Sequence, residues 1–159
     1  MTAIKMYEKI EKHYNDHIYE IKIAENVPGG AAYTIDGIAA YFMPDQEILT
    51  ASPGKRPVLN PLFKSIYDRD YLLAKAIPGT MNGTRVLQLK CYPDSEPVYI
   101  QKKYAAFFGK NAMYYIDSKA GRTSPVLCGS FDGIFHTYAI IMPYIKQAYN
   151  TFIPDGDTI

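Results

Sequence analysis

The chain has 159 residues, of which 48% are hydrophobic and 21% are charged, a composition typical of one globular domain. Its formal net charge of +1 excludes the large basic excess of a non-specific nucleic-acid binder, and its two cysteines exclude a disulfide framework. The sequence contains no apolar run long enough to span a bilayer and no signal-peptide pattern. We therefore expect a soluble, cytoplasmic protein with no membrane contact.

The first third of the chain predicts one helix followed by three strands. Apolar residues recur at three- and four-residue spacings over 4–16, with charged residues between them, which indicates an amphipathic helix. Apolar and charged residues alternate over 17–23, as in a half-buried strand. Residues 31–43 form an apolar stretch interrupted by Asp36-Gly37, a hairpin turn signal, and Pro44 ends this stretch.

The middle of the chain, residues 45–83, is the least regular part. Loops rich in proline and glycine are predicted at 52–57 and 77–83. Between them, Asn60-Pro61 favours the start of a short helix over 62–67, because proline is well tolerated in a first helical turn.

The last third again alternates strands with a helix. We expect strands at 85–92, 98–100, 112–116, 125–128 and 135–142, an Asp132-Gly133 turn between the last two, and a helix at 101–108 that stops at Gly109. A short helix over 146–152 and a frayed tail over 154–159 close the chain.

The two halves, about 1–50 and 85–145, show the same order of predicted elements. Each half runs from a helix through two strands and an Asp-Gly turn to a strand that ends in Met-Pro, at Met43-Pro44 and at Met142-Pro143. Repeated units often mark a duplicated fold. We therefore predict a single α+β domain over 1–159, with a mainly antiparallel sheet, two helices on one face and two similar helix-plus-strands units.

Four segments of the second half carry a family resemblance: 102–108, 113–117, 124–128 and 138–143. Over residues 98–143 the chain resembles one domain of a bacterial DNA sliding clamp, the processivity factor of DNA polymerase. In that family a helix facing the DNA precedes a Pro-Val-type strand and a final strand that ends in Met-Pro. The resemblance implies a DNA-clamp-like fold, but a clamp chain carries three such domains. A single-domain version would form a ring only by assembling many copies.

Basic side chains on the predicted helices and one loop are the candidate nucleic-acid contacts. They are Lys5, Lys9, Lys12, Lys55, Arg56, Lys102, Lys103 and Lys110. In the first helix, acidic neighbours cancel the lysines formally, and the alternative for the whole set is ordinary solvated surface residues.

The sequence contains no recognisable catalytic, cofactor or metal motif. His13 and His17 stand four residues apart, but no third ligand follows from the sequence, so a solvated helix end is the simpler interpretation. Cys128 and His136 lie on neighbouring predicted strands without an orienting third group, which argues against a nucleophile–base pair. We predict no catalytic residue, no metal and no cofactor.

Three functional hypotheses follow. The first is a non-enzymatic, clamp-like interaction module of phage or mobile-element origin, which self-associates and acts in DNA transactions or on a protein partner. The second is a protein-binding inhibitor or adaptor with no DNA contact. The third is an enzyme whose site gathers polar residues from 45–83.

Overall fold

The fold of the chain is α+β and mainly antiparallel, as predicted. In the computed structural model, residues 3–48, 56–120, 124–145 and 150–157 are described. They form three α-helices and ten strands, and the strands pair antiparallel. No helix among these residues is both long enough and apolar enough to cross a membrane.

The elements follow one another in a fixed order along the chain. The helices are α1 (Ala3–Asp16), α2 (Leu59–Lys64) and α3 (Lys102–Ala106). The strands are β1 (Ile23–Val27), β2 (Gly30–Thr34), β3 (Ala39–Pro44), β4 (Tyr71–Met81), β5 (Thr84–Lys90), β6 (Val98–Gln101), β7 (Met113–Asp117), β8 (Val126–Phe131), β9 (Phe135–Ile141) and β10 (Phe152–Pro154).

The chain divides into two compact units. The first unit consists of Met1–Arg69 and Gly129–Ile140, and the second of Asp70–Cys128 and Ile141–Ile159. The boundary falls within β8 and β9, so each of these strands contributes residues to both units.

In the first unit the strand order is β1-β2-β3-β9-β8, and α1 packs against β3. The β2–β3 hairpin forms at Asp36-Gly37 as predicted: Gly37 adopts a φ of 81°, and its N–H donates to Thr34 Oγ1 at 2.9 Å. Met6 and Ile10 of α1 are fully buried. The core of this unit therefore follows from the apolar stripe of α1 and the small or aromatic residues of the strands.

In the second unit the order is β8-β7-β4-β5-β6, and β10 pairs with β4. Strand β4 is long enough to have different partners along its length: residues 71–74 pair with β7, and residues 79–81 pair with β10. Its other side pairs with β5 over residues 75–81. Phe152 of β10 packs against the buried Met81, Val86 and Tyr99.

The predicted strand at 17–23 is wrong. Residues 17–20 form a turn, held by local backbone bonds from His17 N–H to the His13 carbonyl at 3.1 Å and from Glu20 N–H to the His17 carbonyl at 2.8 Å. Ile18 and Tyr19 are exposed, so the alternating pattern has no core to face. The strand begins at Ile23 instead.

Two further predictions need correction. The loop expected at 77–83 is largely strand β4, and the chain turns only at Asn82-Gly83. The helix expected at 62–67 begins earlier, at Leu59, because the Glu25 carboxylate accepts N–H bonds from three residues at its start.

The end of the chain is ordered where it is described. Of the closing helix expected at 146–152, residues 146–149 lie outside the described residues, and Phe152 is in strand β10. The tail is not frayed at Asp155, whose carboxylate accepts two hydrogen bonds from Arg85 at 2.8 and 2.7 Å.

The strand order of the sheet begins with β1 and ends with β6. On each of these two outer strands, one backbone carbonyl accepts a hydrogen bond from another part of the same unit. On β1, the Asn26 carbonyl accepts the side-chain amide of Asn60 at 2.9 Å. On β6, the Tyr99 carbonyl accepts the N–H of Tyr144 at 2.7 Å. Such cover limits the pairing of an exposed edge with a further strand.

Candidate functional site

A groove in the first unit lies between helix α1 and the chain that leaves β3. Its first compartment has a volume of about 220 Å³. The compartment is lined by Ile4, Tyr7, Glu8, Glu11, Met43, Pro44 and Gln46. Ile4, Tyr7, Met43 and Pro44 give this compartment a mainly apolar lining. Ile4 lies at the rim and is 70% exposed.

A second compartment adjoins the first and shares Glu11, Met43 and Gln46 with it. Its volume is about 340 Å³. The residues that it adds are Tyr14, Asn15, Glu47 and Ile48. We call the two compartments together the acidic groove, because three glutamates line it and the described residues of its lining include no lysine or arginine.

The helix wall of the acidic groove is held in place by two tyrosines. The Tyr7 hydroxyl donates to the Thr137 carbonyl at 2.8 Å, and its ring meets the edge of Tyr138 at 5.4 Å between centroids. Burial raises the pKa of Tyr7 above its usual range. The Tyr14 ring makes a similar edge contact with Tyr33 at 5.1 Å. The helix side of the groove is therefore a fixed aromatic surface.

The opposite wall, residues 44–48, is fixed by hydrogen bonds to the β1–β2 hairpin. The Asn26 side chain donates to the Ile48 carbonyl at 2.9 Å and accepts the Ile48 N–H at 2.7 Å. The Asp45 N–H donates to the Gly29 carbonyl at 2.9 Å. These bonds hold the segment that carries Gln46 and Glu47 alongside α1.

The charges of α1 are divided between two arcs of its surface. At about 100° per residue, Glu8 and Glu11 fall on the arc that lines the groove, and Lys5, Lys9 and Lys12 fall on the neighbouring arc. All five side chains are exposed. The formal cancellation predicted for this helix therefore conceals a separation of Glu8 and Glu11 from the lysines, while Asp16 falls on the basic arc and pairs with Lys12.

The candidate DNA contacts of the first unit lie mainly on that basic arc. Lys12 Nζ pairs with the Asp16 carboxylate at 2.6 Å, and hydrogen bonding to Lys12 lowers the pKa of Asp16. Arg56 is exposed in the chain before α2, and Lys55 lies outside the described residues. The structure thus brings Lys5, Lys9 and Lys12 together on one helix.

The remaining candidates lie in the second unit. Lys102 begins α3, is half-buried and contributes to lowering the pKa of Asp155, after the larger effect of Arg85. Lys103 Nζ lies 5.1 Å from the centre of the Tyr104 ring, and Lys110 is exposed in the short 3₁₀ turn after α3. Lys102 therefore lies near the Asp155 carboxylate, and Lys103 lies near the Tyr104 ring.

The imidazole rings of the two histidines that stand four apart lie close together at the end of α1, tilted by 35° to each other. The ring centroids of His13 and His17 are 4.3 Å apart. His17 Nδ1 donates to the His13 carbonyl at 2.9 Å, and His13 Nδ1 contacts the Tyr33 hydroxyl at 2.8 Å. Among the described residues no group of three or more His, Cys, Asp or Glu side chains is arranged to hold a metal ion.

Cys128 is buried, and His136 pairs with an aspartate. Cys128 is fully buried, and this burial raises the pKa of its thiol. His136 Nε2 lies 2.9 Å from the Asp132 carboxylate at the β8–β9 turn. The thiol is thus kept in its protonated, unreactive form.

Comparison with protein-family models, curated proteins and solved structures gave no match. The resemblance to a sliding-clamp domain stays a prediction, as do the nucleic-acid contacts. The sequence did not predict the acidic groove, because it presents the acidic residues Glu8 and Glu11 only as formal partners of the lysines in the same helix. A helical projection of α1 would have found these two residues.

Proposed function

We propose that this protein is a non-enzymatic interaction module that binds a segment of a protein partner in the acidic groove. The observation that carries the proposal is the groove itself: an apolar, aromatic floor left open beside α1, with ionisable side chains along both walls. Protein recognition sites commonly combine apolar contacts with a polar rim in this way.

The dimensions suit an extended peptide. The α1 residues that line the groove run from Ile4 to Asn15, a rise of about 16 Å at about 1.5 Å per residue. An extended segment covers that distance with about five residues at roughly 3.3 Å each. Within the described part of the chain the groove is open along its length, which favours a chain segment over an enclosed small molecule.

Selection from a random peptide library tests this proposal without assuming the partner's charge. The immobilised protein should enrich peptides that a Gln46→Trp variant fails to retain, because Gln46 lines both compartments and an indole there fills the groove. Tyr19→Trp is the matched control, since Tyr19 is fully exposed and outside the groove lining. Enrichment that is equal on all three proteins would reject the proposal.

DNA binding through the basic arc of α1 is a second candidate, favoured by the grouping of Lys5, Lys9 and Lys12 on one exposed side. A gel shift with duplex DNA at low salt tests it. Binding should weaken with salt by about 0.9 logarithmic units per contacted phosphate per decade of salt, and the triple Lys→Gln variant should lose that dependence. No shift at low salt would leave the protein-binding function alone.

A clamp-like, duplicated arrangement is supported by the recurring order of elements. Both α1-β1-β2-β3 and α3-β7-β8-β9 run helix, strand, strand, Asp-Gly turn, strand. The strands β3 and β9, which end at or just before Met-Pro, are neighbours in the first unit. An experimental structure in which the two groups of Cα atoms do not superimpose would end this part of the proposal.

A further inference from the structure

The electrostatics of the acidic groove indicate which partner it accepts. Glu8 and Glu11 stand on one wall and Glu47 on the other, and all three are exposed. In the part of the chain that the structure describes, no hydrogen bond or ion pair engages these three carboxylates. The groove is therefore negative, although the net charge of the chain is +1.

The two compartments differ in chemistry. The smaller one is floored by Tyr7, Met43 and Pro44, with Ile4 at its rim, so it suits an apolar side chain. The larger one lies between Glu11 and Glu47 and is also lined by Met43 and Ile48, so it suits a cationic side chain with an aliphatic stem. Lysine and arginine combine such a stem with a charged head.

We infer, on the basis of the function proposed above, that the partner segment is a short cationic peptide with one large apolar residue. The apolar side chain enters the compartment beside Ile4 and Tyr7. Flanking lysines or arginines face the carboxylates of Glu8, Glu11 and Glu47. Acidic segments and nucleic acid are disfavoured at this site, because their charges repel the same carboxylates.

The absence of tryptophan from the chain gives a direct assay. The probe is a short synthetic peptide with a single tryptophan between lysines, and its fluorescence reports burial of the indole. Three matched peptides accompany it: one with glutamate in place of lysine, one of scrambled order, and one with alanine in place of tryptophan, which has no indole and is measured by competition with the first. Only the first peptide should bind tightly, and its binding should weaken as salt rises because exposed charges are screened.

The carboxylates are tested with Glu8→Gln/Glu11→Gln, which removes charge but keeps side-chain shape. The dissociation constant of the lysine peptide should rise by roughly threefold to tenfold, as expected for the loss of two exposed charge pairs. Asp68→Asn is the matched control, an exposed carboxylate of the same unit outside the groove lining, and it should bind as the parent does. Unchanged urea denaturation shows that each variant is folded.

The outcomes separate this inference from the proposed function. If library peptides depend on an unblocked groove but lack lysine and arginine, or if the glutamate peptide binds as well as the lysine peptide, the cationic partner is rejected and the binding function stands. If no peptide responds to Gln46→Trp, both are rejected. Salt-insensitive binding of the lysine peptide would also contradict the inference.

Discussion

The imidazole of His13 and the phenol of Tyr33 are joined by a hydrogen bond of 2.8 Å between Nδ1 and the hydroxyl oxygen. The Tyr33 hydroxyl donates its own proton to the Ile10 carbonyl at 2.9 Å. A phenol has one proton to give, so His13 must donate from Nδ1. One buried tyrosine thus links strand β2 to two successive turns of α1 and fixes the tautomer of the histidine.

Replacing Tyr33 with phenylalanine should destabilise the first unit. The change removes both hydrogen bonds while the ring keeps its contacts with Tyr14 and Tyr41. We expect a loss of about 1–2 kcal/mol in the free energy of unfolding, measured by urea denaturation. Tyr19→Phe, at a fully exposed position, should change stability by less than about 0.5 kcal/mol.

Stability should fall as the pH drops through the range in which histidine titrates. Burial, and then the neighbouring His17, lower the pKa of His13, while Asp16 and Glu20 oppose the shift. The unfolded chain, with a histidine pKa of about 6.5, then binds more protons than the folded chain, so the free energy of unfolding decreases below about pH 6.5.

Urea denaturation of the parent and of His13→Gln at about pH 7.5 and pH 5.5 checks this prediction. The parent should lose more stability than the variant between these values. The aspartates whose pKa is lowered titrate in a more acidic window, near their usual pKa of about 4 and below, and do not obscure the result. Equal losses would show that His13 is not responsible.

Gly79→Ala should displace β10 from β4. A Cβ at Gly79 would lie 2.4 Å from the Ile153 carbonyl oxygen and 2.5 Å from the Phe152 ring, closer than packed atoms approach. We expect destabilisation of about 1–3 kcal/mol and faster amide exchange in β10. Gly156→Ala is the control, because among the described residues, apart from its chain neighbours, no atom lies within 4 Å of a Cβ there. Normal exchange at Phe152 in the Gly79 variant would contradict the packing described.

Glu25→Ala should loosen the start of helix α2. The carboxylate accepts the N–H groups of Val58, Leu59 and Asn60 at 2.8, 2.8 and 2.9 Å, which a helix of six residues cannot satisfy internally. The expected loss is about 1–2 kcal/mol, as for other helix caps. Glu25→Gln keeps one acceptor oxygen and should lose less, so equal losses would argue against capping.

The sequence predicts elements well where local chemistry and the core agree. The apolar stripe of α1 and the turn at Asp36-Gly37 each determine a local geometry that tertiary packing also favours, and both predictions are confirmed. The pattern at 17–23 shows the opposite case. Alternation alone predicted a strand, but Ile18 and Tyr19 meet no buried surface.

Strand β4 could not be predicted because it contains Pro78 and Gly79. A strand accommodates these two residues here only because of partners that are distant in the sequence. Pro78 lies between the stretch that pairs with β7 and the stretch that pairs with β10, so its missing N–H removes no bond on that side. Gly79 leaves space for the Phe152 ring, far away in sequence. A local reading of Pro78-Gly79 therefore indicates a loop.

Part of the candidate site could likewise be predicted from the sequence, and part of it could not. The positions of Lys5, Lys9 and Lys12 on an exposed helix surface follow from the helical period. The acidic groove needs Gln46 and Glu47 beside α1, and that placement depends on the bonds between Asn26 and Ile48. No pattern within α1 contains this information.

The bond between Tyr144 and Tyr99 has a consequence for assembly into larger structures. A strand from another copy that approached β6 would compete with a tethered segment whose effective concentration is of the order of millimolar. At micromolar protein concentrations the internal segment therefore stays bound to β6, unless the strand from the other copy adds side-chain contacts to its backbone hydrogen bonds. Any ring or filament built through this edge would therefore exchange an internal contact for an external one, and its formation would depend steeply on protein concentration.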